Sequence, residues 1–182
     1  DWTSDGKSIV TLLIPDGRGP APAEPAVPTA PQVRVTTPAK NPQRTYASLL
    51  ATPHDMDLLE YYTTGQVAVI NAYTRAVRKV GKPAMVRSID PGPGGEYLRV
   101  TTMQRPFSYI VPTSNFGTVE EVWSVDGRTK VQLTKRALRD GSPADTAGQG
   151  TRVEKRNLTW RPDGQGLSYL LQDPPPARGP GA

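Results

Sequence analysis

With 182 residues, 22 Lys and Arg against 17 Asp and Glu, and a formal net charge of +5, the chain has the length of one ordinary domain. Its basic residues stand singly among acidic ones, with only short pairs such as Lys135-Arg136, so the clustered stripe that grips phosphates is missing and no nucleic acid is expected. There is no cysteine and no apolar run of membrane-spanning length, which excludes disulfides, thiolate metal sites and a spanning helix.

Gly and Pro, at 17 and 20 residues, make about a fifth of the chain, against roughly 12% in average usage. Much of it must be turns. The first of these lies in Asp1-Trp2-Thr3-Ser4-Asp5-Gly6-Lys7, which leads into the β-prone run Ser8 to Leu13. Asp-Gly is a strong hairpin signal, because Gly takes up positive φ without a Cβ clash.

Residues 15–40 carry Pro20, Pro22, Pro25, Pro28, Pro31 and Pro38, a composition suited to extended polyproline backbone and unable to donate ladder hydrogen bonds. A helical turn is expected over 46–51. A helix start follows at Thr52-Pro53-His54-Asp55, with Thr52 as N-cap, Pro53 in first position and Asp55 in the first turn. We read residues 15–65 as an insertion within the first repeating unit.

Two hairpins flank a third turn-rich stretch. Residues 66–71 and 76–81 form one hairpin, 88–102 turn at Pro91-Gly92-Pro93-Gly94-Gly95, and 118–125 and 128–133 meet at Asp126-Gly127. Residues 159–171 repeat the opening pattern, Trp160-Arg161-Pro162-Asp163-Gly164. Strand pairs at this spacing predict an all-β fold, a partial β-propeller of about two four-stranded antiparallel blades plus the first hairpin of a third. The whole chain, 1–182, is then a propeller fragment, and residues 174–182 are expected to be a disordered tail. Because stacked repeats draw stability from neighbouring units, such a piece is expected to be marginal alone. Its first residue is Asp1, and it reads as part of something longer.

Catalytic chemistry is sparse. Serine nucleophiles need a base and an exposed turn; the chain has one histidine, His54, and Gly166-Leu167-Ser168-Tyr169-Leu170 lacks the second glycine of a nucleophile elbow. His54, Asp55 and Asp57 have ligand chemistry, but carboxylates at a helix start favour the dipole without any metal. Glu120 and Glu121 are adjacent, so on a strand they face opposite ways and cannot work as an acid and base pair. The glycines at 92–95 join strands and lack the Lys-Ser/Thr ending of a phosphate loop. No catalytic residue, cofactor or metal is expected in this chain.

The run Met103-Gln104-Arg105-Pro106-Phe107-Ser108-Tyr109-Ile110-Val111-Pro112, with Val119 to Arg128, Gly19-Pro20 through Pro28, Tyr46 to Leu50 and Leu59-Glu60-Tyr61-Tyr62, resembles the propeller of the glutamyl endopeptidases, serine peptidases of the prolyl oligopeptidase family. The resemblance implies an N-terminal propeller over a C-terminal α/β-hydrolase domain that would be this segment's partner, with a peptide substrate cut after glutamate. It implies a non-catalytic role in gating access and helping to bind peptide. The alternative is a stand-alone periplasmic scaffold propeller. The compartment is not legible; a periplasmic or secreted setting is favoured for a bacterial parent.

One residue becomes a substrate-binding candidate. Selection of glutamate calls for a cation, and Arg offers a planar fork that holds a carboxylate in two places. Arg105 stands at a strand end before Pro106, where pairing stops. The alternative for Arg105 is a salt bridge, and Arg87 and Arg99 have similar claims on charge alone.

Overall fold

The computed structural model describes residues 1–27, 46, 49–141 and 155–171. The fold is mostly antiparallel β, with a single α-helix among the described residues. The expected tail at 174–182 and half of the Pro-rich stretch, residues 28–40, lie outside the described residues.

The strands fall into groups that follow the turn signals. In the first, β1 (Ser8–Leu13) pairs antiparallel with β2 (Thr64–Asn71), in register from Ser8 opposite Asn71 to Leu13 opposite Gln66. β3 (Val77–Lys79) pairs on the other edge of β2, and Trp2 bridges Ile9 on the outer edge of β1. The second group is a meander of four strands, β4 (Ala84–Pro91), β5 (Tyr97–Gln104), β6 (Gly117–Ser124) and β7 (Lys130–Arg136), each antiparallel to the one before. A last hairpin, β8 (Arg156–Trp160) with β9 (Leu167–Leu170), forms its own two-stranded sheet. Two residue pairs, Thr64 with Met85 and Gly65 with Ala84, join β2 to β4. Nothing in the hairpin pattern predicts that link.

Three turns repeat one device. In Trp2 to Ser8 the Asp5 carboxylate accepts from the Lys7 N–H at 3.0 Å and the Thr3 hydroxyl at 2.6 Å, while the Ser8 N–H donates back to Thr3 Oγ1 at 3.1 Å. In Trp123 to Thr129 the same geometry recurs: Asp126 accepts from the Arg128 N–H at 3.0 Å and the Ser124 hydroxyl at 2.6 Å, and the Thr129 N–H donates to Ser124 Oγ at 2.8 Å. At the third turn the Gln165 N–H donates to Asp163 at 3.0 Å, and Arg161 replaces the hydroxyl residue. Carboxylates that accept such bonds satisfy the backbone donors that a tight turn leaves unpaired.

The main core lies between the first two groups. Val10, Val67 and Val69 from the first meet Leu98, Val100 and Trp123 from the second, with Val80 between them. Residues two apart share a face of a strand, which is why Val67 and Val69, and Leu98 and Val100, enter this core together. Leu98, Val67, Val80 and Val100 are fully buried, each worth roughly 1.5–3 kcal/mol relative to exposure. The alternate residue of β5, Arg99, points the other way, to Asp90 at 2.7 Å, Glu120 at 3.4 Å and the Leu158 carbonyl on β8. Trp160 Nε1 on β8 donates to the Asp90 carbonyl at 3.2 Å. The face of the meander away from the core is thus tied to β8 through Arg99 and Trp160.

Gly81 shows how closely the groups approach. It has a φ of +66°, and a Cβ there would stand 2.7 Å from the Trp123 ring. Gly81→Ala is expected to cost more than the roughly 1 kcal/mol of Gly127→Ala, whose φ is +77° in open space, because the first adds a clash with a buried indole to the same left-handed strain. Urea unfolding followed by tryptophan fluorescence checks the order, and equal losses would contradict the packing.

The Asp-Gly turns also make stability pH-dependent. Asp5 and Asp126 are held below the ordinary carboxylate pKa of 3.8 chiefly by the Thr3 and Ser124 hydroxyls, and Asp163 chiefly by the Gln165 N–H. A depressed folded-state pKa adds stability that is present above the unfolded value near 4 and lost as pH falls through the folded value. Asn keeps the acceptor oxygen but does not titrate. The triple variant Asp5→Asn, Asp126→Asn, Asp163→Asn should lose less stability than the parent between pH 5 and pH 2 in urea titrations.

Candidate functional site

The chemistry-bearing corner of the molecule lies where α1 (Pro53–Thr63) meets the loop after β5. Thr52 adopts an extended N-cap conformation and its side chain accepts from the Asp55 N–H at 3.1 Å. The Asp55 carboxylate returns to the N–H groups of Thr52 at 2.9 Å and Ala51 at 2.8 Å, a reciprocal capping box. These bonds, led by that from Ala51, hold the Asp55 carboxyl below its ordinary pKa of 3.8. The helix begins where the sequence places it. The helical turn expected over 46–51 is not formed at residues 49–51, since Ala51 and Thr52 give their N–H groups to Asp55 and Leu50 turns into an apolar cluster; residues 47–48 lie outside the described residues.

That cluster anchors the helix. Met103, Phe107 and Phe116 are buried, and Leu50, Met56, Leu59, Met85, Val111 and Leu138 pack on them. Phe107 and Phe116 stack with ring centroids 5.2 Å apart. From the far side, the Tyr61 hydroxyl donates to the Gly19 carbonyl at 2.8 Å, and the Arg18 guanidinium lies 4.8 Å from the Tyr61 ring centre and donates to the Thr64 carbonyl.

Arg105 sits just past β5, followed by a cis peptide bond to Pro106. Asp57 and Glu60, three residues apart and so neighbours on one helix face, both reach it. Glu60 Oε2 accepts from Arg105 Nε and Nη2, each at 2.6 Å, and Asp57 Oδ1 accepts from Nη2 at 3.0 Å. The guanidinium also lies 4.9 Å from the Phe107 ring centre, a distance at which cation and π face attract. Glu60 first, then Asp57, raise the Arg105 pKa above its ordinary value. The salt-bridge alternative weighed for Arg105 is thus realised within the chain, and the fork is occupied by the protein's own carboxylates.

The other candidates are dispersed. Arg99 is engaged with Asp90, Glu120 and Leu158, as above, and Arg87 is exposed on β4. Ser168 lies on β9 with its Oγ 3.0 Å from Thr159 Oγ1. The carboxylates of Asp55 and Asp57 are taken up by the helix cap and by Arg105, and the described residues hold no group of three or more His, Cys, Asp or Glu able to bind a metal. Glu120 accepts from Thr134 at 3.2 Å, whereas Glu121 accepts from Trp123 Nε1 and pairs with Lys130, each at 3.0 Å, on the opposite face. The glycines at 92–95 form the β4–β5 turn, where the Gly94 N–H donates to Ser4 Oγ at 2.9 Å. Asp57 and Glu60 are what sequence reasoning missed. They lie 48 and 45 residues from Arg105, and no local pattern announces such a pairing.

Over most of its length the chain is similar to plant peptidases. It is 34% identical over 172 residues to a protein named probable glutamyl endopeptidase, chloroplastic, from Oryza sativa subsp. japonica, covering 94% of this chain and 18% of that protein. It is 35% identical over 160 residues to the protein of the same name from Arabidopsis thaliana, covering 87% of this chain and 16% of that one. The chain is related to peptidases and spans under a fifth of the length of these curated relatives. No family model and no solved structure matches it.

Thr52→Ala should remove one arm of the capping box and loosen α1 by about 0.5–2 kcal/mol. Amide hydrogen exchange would show faster exchange across residues 53–63 with little change in β5 and β6. Uniform acceleration of all strands would mean that the helix and the sheets open together.

Proposed function

From this kinship we propose that the chain is a non-catalytic segment of a serine peptidase of the glutamyl endopeptidase kind, built as propeller blades over a hydrolase domain, where it gates access and helps to bind peptide. The observation that carries this reading is the similarity along 94% of the chain to a stretch making up 18% of a much longer peptidase. The strand pairing supports it: the first two antiparallel groups join through β2 and β4 and share one core, and β8 is tied to the second by hydrogen bonds from Arg99 and Trp160. On this reading Trp2 with β1, β2 and β3 make one blade, β4 to β7 the next, and β8 with β9 open a third. Residues 15–65 are an insertion that carries α1 to the edge of the second blade.

Arg105 is the substrate contact we propose. It belongs to the loop after β5, where α1 packs beside it, and its side chain is about half exposed. A glutamate carboxylate arriving there would meet a guanidinium already oriented by Asp57 and the Phe107 ring. In the complete peptidase, Arg105→Ala should lower turnover after Glu by roughly ten- to a hundredfold, the loss of a charge-assisted hydrogen bond of about 1.5–3 kcal/mol, with turnover after Gln much less affected. Comparing kcat/KM for matched Glu and Gln peptides makes the test. Equal losses would give Arg105 a purely structural role.

A further inference from the structure

We propose that Glu60 is an internal occupant of the Arg105 fork: its carboxylate holds the place that a substrate glutamate takes, and substrate binds by displacing it. The inference rests on Arg105 being the substrate contact and adds a residue that sets how tightly glutamate is held. The two acids do not hold Arg105 alike. Glu60 Oε2 spans Nε and Nη2 at 2.6 Å each, whereas Asp57 touches Nη2 alone, at 3.0 Å. Glu60 therefore covers the edge of the guanidinium that a carboxylate engages through two bonds, and it does so with the side chain a glutamyl substrate would bring.

Charge gives the same result. Two carboxylates on one guanidinium leave the cluster with a net negative charge, so a third carboxylate is repelled until one of the first two leaves. The side chains of Arg105, Asp57 and Glu60 are 46%, 56% and 43% exposed, so water can receive the departing Glu60 and substrate can approach. Nη1 has no hydrogen-bond partner among the described residues, which leaves the incoming carboxylate a further donor once Glu60 has moved aside. Asp57 and the Phe107 ring, 4.9 Å away, keep the guanidinium in place during the exchange. Glu60 is thus exchangeable and Asp57 a positioning residue. A peptide ending in Gln cannot compete for the fork, because a neutral amide does not replace the charge-assisted bonds of Glu60.

Because occupied protein binds only through its unoccupied fraction, removing the occupant should raise apparent affinity. In the complete peptidase, Glu60→Gln should lower KM for Glu peptides about two- to fivefold, the worth of an exposed ion pair, and lower it more than the KM for matched Gln peptides. Asp57→Asn should raise KM for Glu peptides. Glu60→Ala, which suits a helix interior, carries the same expectation if the Gln variant folds poorly, and a thermal melt of each variant reports folding. If Arg105→Ala abolishes the preference for Glu while KM for Glu peptides stays the same or rises in both Glu60 variants, the occupant idea is overturned and the substrate role of Arg105 stands. If Arg105→Ala leaves the preference intact, the substrate role itself fails, and the occupant idea with it.

Discussion

The described fold depends on bringing two antiparallel strand groups, joined through β2 and β4, onto one apolar core. A strand presents alternate residues to its two faces, so a meander with a core on one side and a hairpin tied to the other needs suitable partners on each. On β5 the two sets are distinct: Leu98 and Val100 are apolar and enter the core, while Arg99 is charged and finds Asp90, Glu120 and a carbonyl of β8. The close approach of Gly81 to Trp123 belongs to the same constraint, since the chain passing from β3 to β4 must run against a buried indole. Gln66 completes the closure by donating its amide to the carbonyls of Val67 and Val80, at 3.0 Å each. Buried amides are tolerated when so satisfied.

The turns let that layer form with little unpaired backbone. Each Asp-Gly corner combines a glycine in the left-handed region with a carboxylate that binds the N–H two residues on, and the Thr3 and Ser124 hydroxyls close the first two in matching ways. Repetition of the device from Trp2, Trp123 and Trp160 marks strand pairs of one kind. The Pro93-Gly94-Gly95 turn is different: it is a short 3-10 turn, and Ser4 accepts its Gly94 N–H, tying the first group to the second.

The corner that holds α1 follows other rules. No residue of the helix is fully buried, so its attachment is shared among a half-buried apolar stripe, a capping box and the ion pairs of Arg105. Exposed ion pairs contribute little individually, but three acceptor contacts on one guanidinium fix its orientation. A site of this kind suits exchange better than storage of stability: its contacts are strong enough to orient and weak enough to yield. Over nearly its whole length the chain is similar to a stretch of a longer peptidase.

Local chemistry decided the parts that the sequence could announce by itself. Asp-Gly turns, the alternation of Val67 and Val69 or Leu98 and Val100, and the Thr52-Pro53-His54-Asp55 helix start all act within a few residues, through φ preference, pleat periodicity and capping. Hence the all-β class, the hairpins and the start of α1 are legible in the sequence, and the run around Arg105 resembles peptidases on its residues alone. Tertiary structure alone decided the link from β2 to β4, the tie between β8 and the second group, and the meeting of Asp57 and Glu60 with Arg105 across more than forty residues. Such contacts join segments far apart in sequence, and they depend on the summed packing of the Phe107 and Phe116 cluster, which no single stretch of sequence encodes.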